Sequence, residues 1–195
     1  TLAEGSSVDR ILVESLGRIA ERDTRPIGTA VLVGVLRGHT EEEANEVNAP
    51  LLAEERGIEV VETSNTHARD FTDLVRVSIT AGGETTRVVG TTLGNRDRPH
   101  LLEAWGGRFN LQLTDHLALF RYRDVPGMIG KVGSVFGEAG VNIVSAAVGL
   151  RDADNGDDAG LAVMVVTTDD PVPQEVVDRI VALDGFLEGR AVSFV

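Results

Sequence analysis

Between Tyr122 and Gly130 the hydrophobic period changes from two to 3.6 with no room for a loop. His116–Arg123 alternates as a strand, Asp124-Val125-Pro126-Gly127 turns, and Met128–Ala139 carries Ile129, Val132, Phe136 and Ala139 as one apolar helical stripe. The order of the remaining elements narrows the fold. Gly140 reads as a left-handed cap. Asn142–Leu150 is a strand, Asp152–Ala159 a loop, Leu161–Thr167 a strand, Pro173–Leu183 a helix and Leu187–Phe194 a last strand. The order β-α-β-β-α-β is the ferredoxin-like plan, two helices on one face of a four-stranded antiparallel sheet.

Upstream, residues 1–9 read as a frayed lead-in and Arg10–Ala20 as a strand with Gly17 as a bulge. Thr24-Arg25-Pro26 turns into a helix over Ile27–Arg37. Thr40 and Glu43 have the spacing of a capping box, and a short helix spans Pro50–Arg56. Ile58–Glu62 reads as a strand and Ser64–Asp70 as a polar loop. Leu74–Ile79 and Thr86–Leu93 flank Ala81-Gly82-Gly83-Glu84 as a hairpin. Leu101–Leu113, with Trp105 and Phe109 around Gly106-Gly107, reads as one bent strand. The fold class is α+β: a small mixed domain over 1–113, then a ferredoxin-like domain over 114–195.

At the strand–helix corner, Asp124 sits near the N–H groups of a helix start, and Tyr122, two residues earlier, shares its face. A carboxylate can hold an ammonium and free helix N–H groups can hold a carboxyl group, so the corner suits a small zwitterion. The same residues suit a simple cap and tight turn, and spacing does not decide between them. Gly127, Gly130 and Gly133 stand where a helix former would be favoured by about 1 kcal/mol each, which permits close approach by a ligand or by a neighbouring backbone.

Other chemistries fail on residue identity. Gly130-Lys131 resembles the end of a phosphate loop, but Val125 replaces its leading Gly and Val132 its Ser or Thr. There is no G-x-G-x-x-G and no G-x-S-x-G. The loop Asp152–Asp158 lacks the calcium-loop pattern, and the histidines at 39, 67, 100 and 116 have no ligand spacing, so neither a metal site nor catalytic residues are expected. A net charge of −13 opposes nucleic acid and anionic membranes. With no cysteine, no membrane-length apolar run and no signal peptide, a cytoplasmic setting is expected. Arg96, Arg98 and His100 form a small basic cluster, a candidate anion site that solvation explains equally. The start at Thr1 suggests a piece of something longer.

Residues 115–195 resemble an ACT domain, an amino-acid-sensing module, through Asp124-Val125-Pro126-Gly127 and Gly140-Val141-Asn142-Ile143. The whole chain resembles the C-terminal regulatory region of long-form bacterial D-3-phosphoglycerate dehydrogenases. Val47-Asn48-Ala49-Pro50 through Gly57-Ile58, Asp170–Val176 and Asp184-Gly185-Phe186 carry that likeness. The resemblance implies an intervening domain over 1–113 and an ACT domain that binds L-serine as feedback inhibitor. Tyr122, Asp124, Val125, Pro126, Gly127, Met128, Asn142 and Ile143 would contact it. Asn142 would act as a two-way amide from the facing subunit. It further implies a homo-oligomer, dimer or tetramer, paired through ACT domains, and no cofactor here, NAD belonging to the intact parent. Where relatives offer basic residues to a phosphate-bearing ligand, this chain has His100 and Gln112. The rival reading is a purely structural oligomerisation module with a degenerate site.

Overall fold

A computed structural model describes residues 7–37, 43–68, 70–150 and 160–194. Two compact units, Thr1–Thr92 and Leu93–Val195, are each taken on their own.

In the first unit, β1 (Val8–Gly17) leads through a 3-10 turn to α1 (Arg25–Leu36) and α2 (Ala49–Glu55), then β2 (Glu59–Asn65), β3 (Asp73–Ala81) and β4 (Glu84–Leu93). Strand β1 pairs with β2 in parallel and with β3 antiparallel, and β3 pairs with β4. Ile11 and Val13 on alternate positions of β1 meet Leu32, Val35 and Leu36 of α1 and Ala49 and Ala53 of α2. The period-two and period-3.6 faces of the sequence therefore close on each other. Pro26 and Pro50 stand in the first turns of their helices, where a missing N–H costs nothing. Gly82 and Gly83 both take positive φ (59° and 84°) in the hairpin turn.

Three expectations change here. The strand starts at Val8, inside the expected lead-in, and its irregularity falls between Val8 and Arg10 rather than at Gly17. Gly17 instead ends β1, with the Thr72 carbonyl where a side chain would stand. The polar residues Ser64 and Asn65 belong to β2, since β1 is long enough to pair with them and an edge strand tolerates polar side chains. Thr40 of the expected capping box, His39 and the acidic loop 152–158 lie outside the described residues.

The second unit begins with β5 (Arg98–Ala104) and β6 (Gly107–Gln112), an antiparallel hairpin instead of one bent strand. Trp105 and Gly106 both take positive φ (48° and 77°), so the chain reverses there. The expected helix and strands follow: β7 (His116–Arg123), α3 (Met128–Glu138), β8 (Ile143–Leu150), β9 (Leu161–Thr168), α4 (Gln174–Val181) and β10 (Phe186–Ser193). They form an antiparallel sheet in the order β10-β7-β9-β8, the ferredoxin-like arrangement. Phe120, Phe136 and Phe186 meet edge to face beneath the helices, with ring centroids 6.1–6.3 Å apart. Each buried aromatic contributes roughly 1.5–3 kcal/mol.

The buried stripe of α3 is Met128, Val132, Val135 and Phe136. Ile129 and Ala139, expected in it, face outward. The helix is rotated because Met128 packs against the turn at Gly185, where its Cε lies 3.0 Å from the position of an added Cβ. Gly140 closes α3 at φ 71°, and the Val141 N–H reaches back to the Phe136 carbonyl at 3.0 Å, as a left-handed cap requires.

Candidate functional site at the β7–α3 corner

Strand β7 ends where two backbone bonds fix its exit. The Arg123 N–H donates to the Gly185 carbonyl and the Asp124 N–H to the Gly160 carbonyl, both at 2.8 Å. Gly127 then takes φ 96°, a left-handed conformation that costs other residues roughly 1–2 kcal/mol. The first bond of α3 runs from the Lys131 N–H to the Gly127 carbonyl at 3.1 Å. Lys131 Nζ donates to the Asp184 carbonyl at 2.8 Å and ties the helix to the same turn that receives β7. The corner is held from both sides.

Its polar groups are left open. No side chain caps the start of α3. The exposed Asp124 carboxylate has no hydrogen bond or ion pair among the described residues, so the reading of Asp124 as a cap fails at this corner. Tyr122 is 1% exposed, tilted against Phe186 at 5.5 Å. Its hydroxyl likewise has no hydrogen-bond partner among the described residues. Burial, and then the negative charge of Asp124, push the Tyr122 phenol up to about 12, so it is a neutral donor at physiological pH.

These residues line an open cleft of about 390 Å³. Tyr122, Asp124, Val125, Pro126, Gly127 and Met128 come from the corner as the sequence suggests, and Ile129 and Val148 add an apolar wall. Sequence reasoning missed those last two. The available signal was the helical wheel of α3, which turns Ile129 outward once Met128 is buried, but Val148 has no local signal.

Asn142 and Ile143 are elsewhere. Along the antiparallel ladder Leu150 faces Ala162, near the cleft, while Ile143 faces Thr168 at the far end. Asn142 is therefore more than about 20 Å from the corner along its own strand. Ile143 packs against the core beneath the helices. Asn142 Nδ2 donates to Asp169 Oδ2 at 3.0 Å.

Of the basic cluster, Arg98 and His100 stand on β5 and Arg96 in the turn before it. Arg98 donates to Gln112 Oε1 at 3.1 Å, His100 Nδ1 meets Asn110 Oδ1 at 2.6 Å, and Arg96 is exposed in the turn. Among the described residues, no group of His, Asp or Glu has the geometry of a metal site. No described helix is long and apolar enough to cross a membrane.

Comparison with known proteins agrees with this layout. Residues 3–103 match the D-3-phosphoglycerate dehydrogenase intervening domain, and residues 116–185 match the ACT domain. The D-3-phosphoglycerate dehydrogenase of Synechocystis is 31% identical over 97% of this chain and 33% of its own length. That of Archaeoglobus fulgidus is 29% identical over 97% of this chain and 35% of its own. That of Methanocaldococcus jannaschii is 31% identical over 89% and 32%. The acetolactate synthase small subunit of Thermotoga maritima overlaps 43% of this chain and 50% of its own at 21% identity, with a TM-score of 0.31. The chain spans about a third of the length of these dehydrogenases. It belongs to the D-3-phosphoglycerate dehydrogenase family, of which it comprises the intervening domain followed by an ACT domain.

Proposed function

We propose that this chain is the regulatory part of a D-3-phosphoglycerate dehydrogenase, and that two copies of its ACT domain close on a small amino acid, L-serine above all. One observation carries the reading. Among the described residues the Asp124 carboxylate stands unpartnered beside an uncapped helix start, next to an edge strand whose Val148 and Leu150 are exposed. An edge strand with unpaired backbone groups and apolar side chains calls for a partner. Antiparallel pairing of two β8 strands about their midpoint would bring Asn142 of the partner subunit to the Asp124 end. Asp124 would then hold the ammonium, the α3 N–H groups from Met128 onward the carboxyl group, and Tyr122 a side-chain oxygen.

The functional division at 113/114, a cytoplasmic setting and a dimer or tetramer built on ACT pairing belong to the same reading. NAD and the dehydrogenase reaction belong to the remaining two thirds of the parent, and the chain alone binds neither. Serine acts by its differential affinity for two subunit arrangements, which biases the catalytic part. Calorimetric titration of the chain with L-serine, glycine and L-threonine tests the proposal. It predicts saturable serine binding at millimolar concentration or tighter; absence of heat and of a thermal shift at that concentration rules it out.

The exposed apolar edge also favours a second reading, in which the unit serves assembly alone. Asp124→Ala separates the two by light scattering and titration together: sensing loses the ligand and keeps the oligomer. A weaker, separate proposal is anion binding at Arg96, Arg98 and His100, for which titration with inorganic phosphate is the check.

A further inference from the structure

We infer that Asp169 is a positioning residue for the amino-acid site: it fixes the Asn142 amide so that its carbonyl oxygen receives the ligand ammonium. The inference rests on the pairing reading above and deepens it. The antiparallel ladder of β8 and β9 ends with Ile143 facing Thr168, so Asn142 and Asp169 are the next two residues to face each other. Thr168 is 2% exposed, and its hydroxyl donates to the Asp170 carbonyl at 2.7 Å, which sets the turn that carries Asp169. Val172, buried in the core, anchors the other side of that turn. Asp169 is thus placed by β9, not by chance contact on the surface.

The chemistry of the pair fixes its direction. An ionised carboxylate only accepts hydrogen bonds, so the group 3.0 Å from Asp169 Oδ2 is the amide nitrogen of Asn142, and the amide oxygen is turned to the other side. An asparagine free to rotate could offer a donor or an acceptor to a ligand; this one leads with its acceptor. The complementary group on an amino acid is the ammonium. In the paired arrangement the ammonium lies between the Asp124 carboxylate and the Asn142 oxygen of the partner subunit. The ligand carboxyl group is left for the N–H groups of α3. Ligand orientation is then set by a residue that never touches the ligand. D-glycerate and L-glycerate, which carry a single-donor, uncharged hydroxyl where serine has its ammonium, should bind more weakly than serine.

A double-mutant cycle on the whole 195-residue chain, read by calorimetric titration with L-serine, tests this. Asp169→Ala should weaken binding about five- to tenfold, the worth of one hydrogen bond. Asn142→Ala should weaken it at least as much, and the double variant should bind no more weakly than Asn142→Ala alone. Asp169→Asn keeps the volume of the side chain and guards against misfolding; it should give a smaller loss in the same direction. Serine binding by Asp169→Ala as tight as that of the unaltered chain overturns the inference and leaves the site intact. An Asp169→Ala loss that persists in full beside Asn142→Ala overturns it as well. Absence of serine binding by the unaltered chain overturns the site reading itself, and the inference with it.

Discussion

Two helices of this chain start a few residues after an aspartate, with a proline beside the start, and they end up chemically opposite. At α1, the Asp23 carboxylate accepts from the Arg25 backbone N–H at 3.2 Å and from its guanidinium at 2.8 and 2.6 Å. The Glu62 carboxylate fills the space beside Gly28 where a Cβ would stand. At α3, Asp124 has no such partner among the described residues, and none of them lies within 4 Å of a Cβ built on Gly127 or Gly130. A carboxylate before a helix is tied down when its own chain supplies the donors, and is left open to a ligand when the chain withholds them. Arg25, two residues after Asp23, supplies them; Pro126, two residues after Asp124, has neither an N–H nor a charge to give.

The sharpest way to break this contrast is to remove each carboxylate in turn and measure serine binding. Asp124→Ala should cost a charge-assisted hydrogen bond, about 1.5–3 kcal/mol or roughly a 10- to 150-fold rise in Kd, with little change in Tm. Asp23→Ala should leave Kd unchanged.

Tyr122→Phe should have a smaller effect. The ring keeps its place against Phe186 and only the hydroxyl is lost, so Kd should rise by about threefold to tenfold. The same variant tests the electrostatics. A phenol whose folded pKa is raised from 10.0 to about 12 holds its proton while the unfolded chain releases it, so stability falls as pH climbs from 10 towards 12. Denaturant melts across that window should show a shallower fall for Tyr122→Phe, and an identical fall would show that Tyr122 is not shielded from solvent.

Much of the second unit was legible because its elements alternate between periods of two and 3.6 and are separated by Pro and Gly. What was not legible depends on contacts remote in sequence. Gly17 ends β1 because the Thr72 carbonyl arrives there. Two strands were read as one at Trp105 because a bulky residue, rather than Asn or Gly, takes the left-handed turn position. Ile129 was assigned to the core because the register of α3 is set by Met128 against Gly185. Tyr122 and residues 124–128 could be read as one corner because they are nearly consecutive. That Asn142 and Asp169 face each other was not legible, since a ladder register is needed to see it.

The smallest effect should come from the closed corner, and its pH dependence shows why it is closed. Hydrogen bonds from the Arg25 side chain, and then from its backbone, hold the Asp23 carboxyl down from its ordinary 3.8 to about 2. A lowered carboxyl pKa stabilises the fold above pH 3.8, and that contribution is lost as pH falls from there through about 2. Because the pair is fully exposed, water and salt screen it, and the change in Tm should be slight. Thermal melts of the unaltered chain and Asp23→Ala should therefore differ a little at pH 5, less at pH 5 in 1 M salt, and least as the pH falls to about 2. If the gap instead persisted undiminished near pH 2, Asp23 would be acting through packing and not charge. The two corners would then differ in shape alone, and the unpartnered charge of Asp124 would lose its role as the mark of a site.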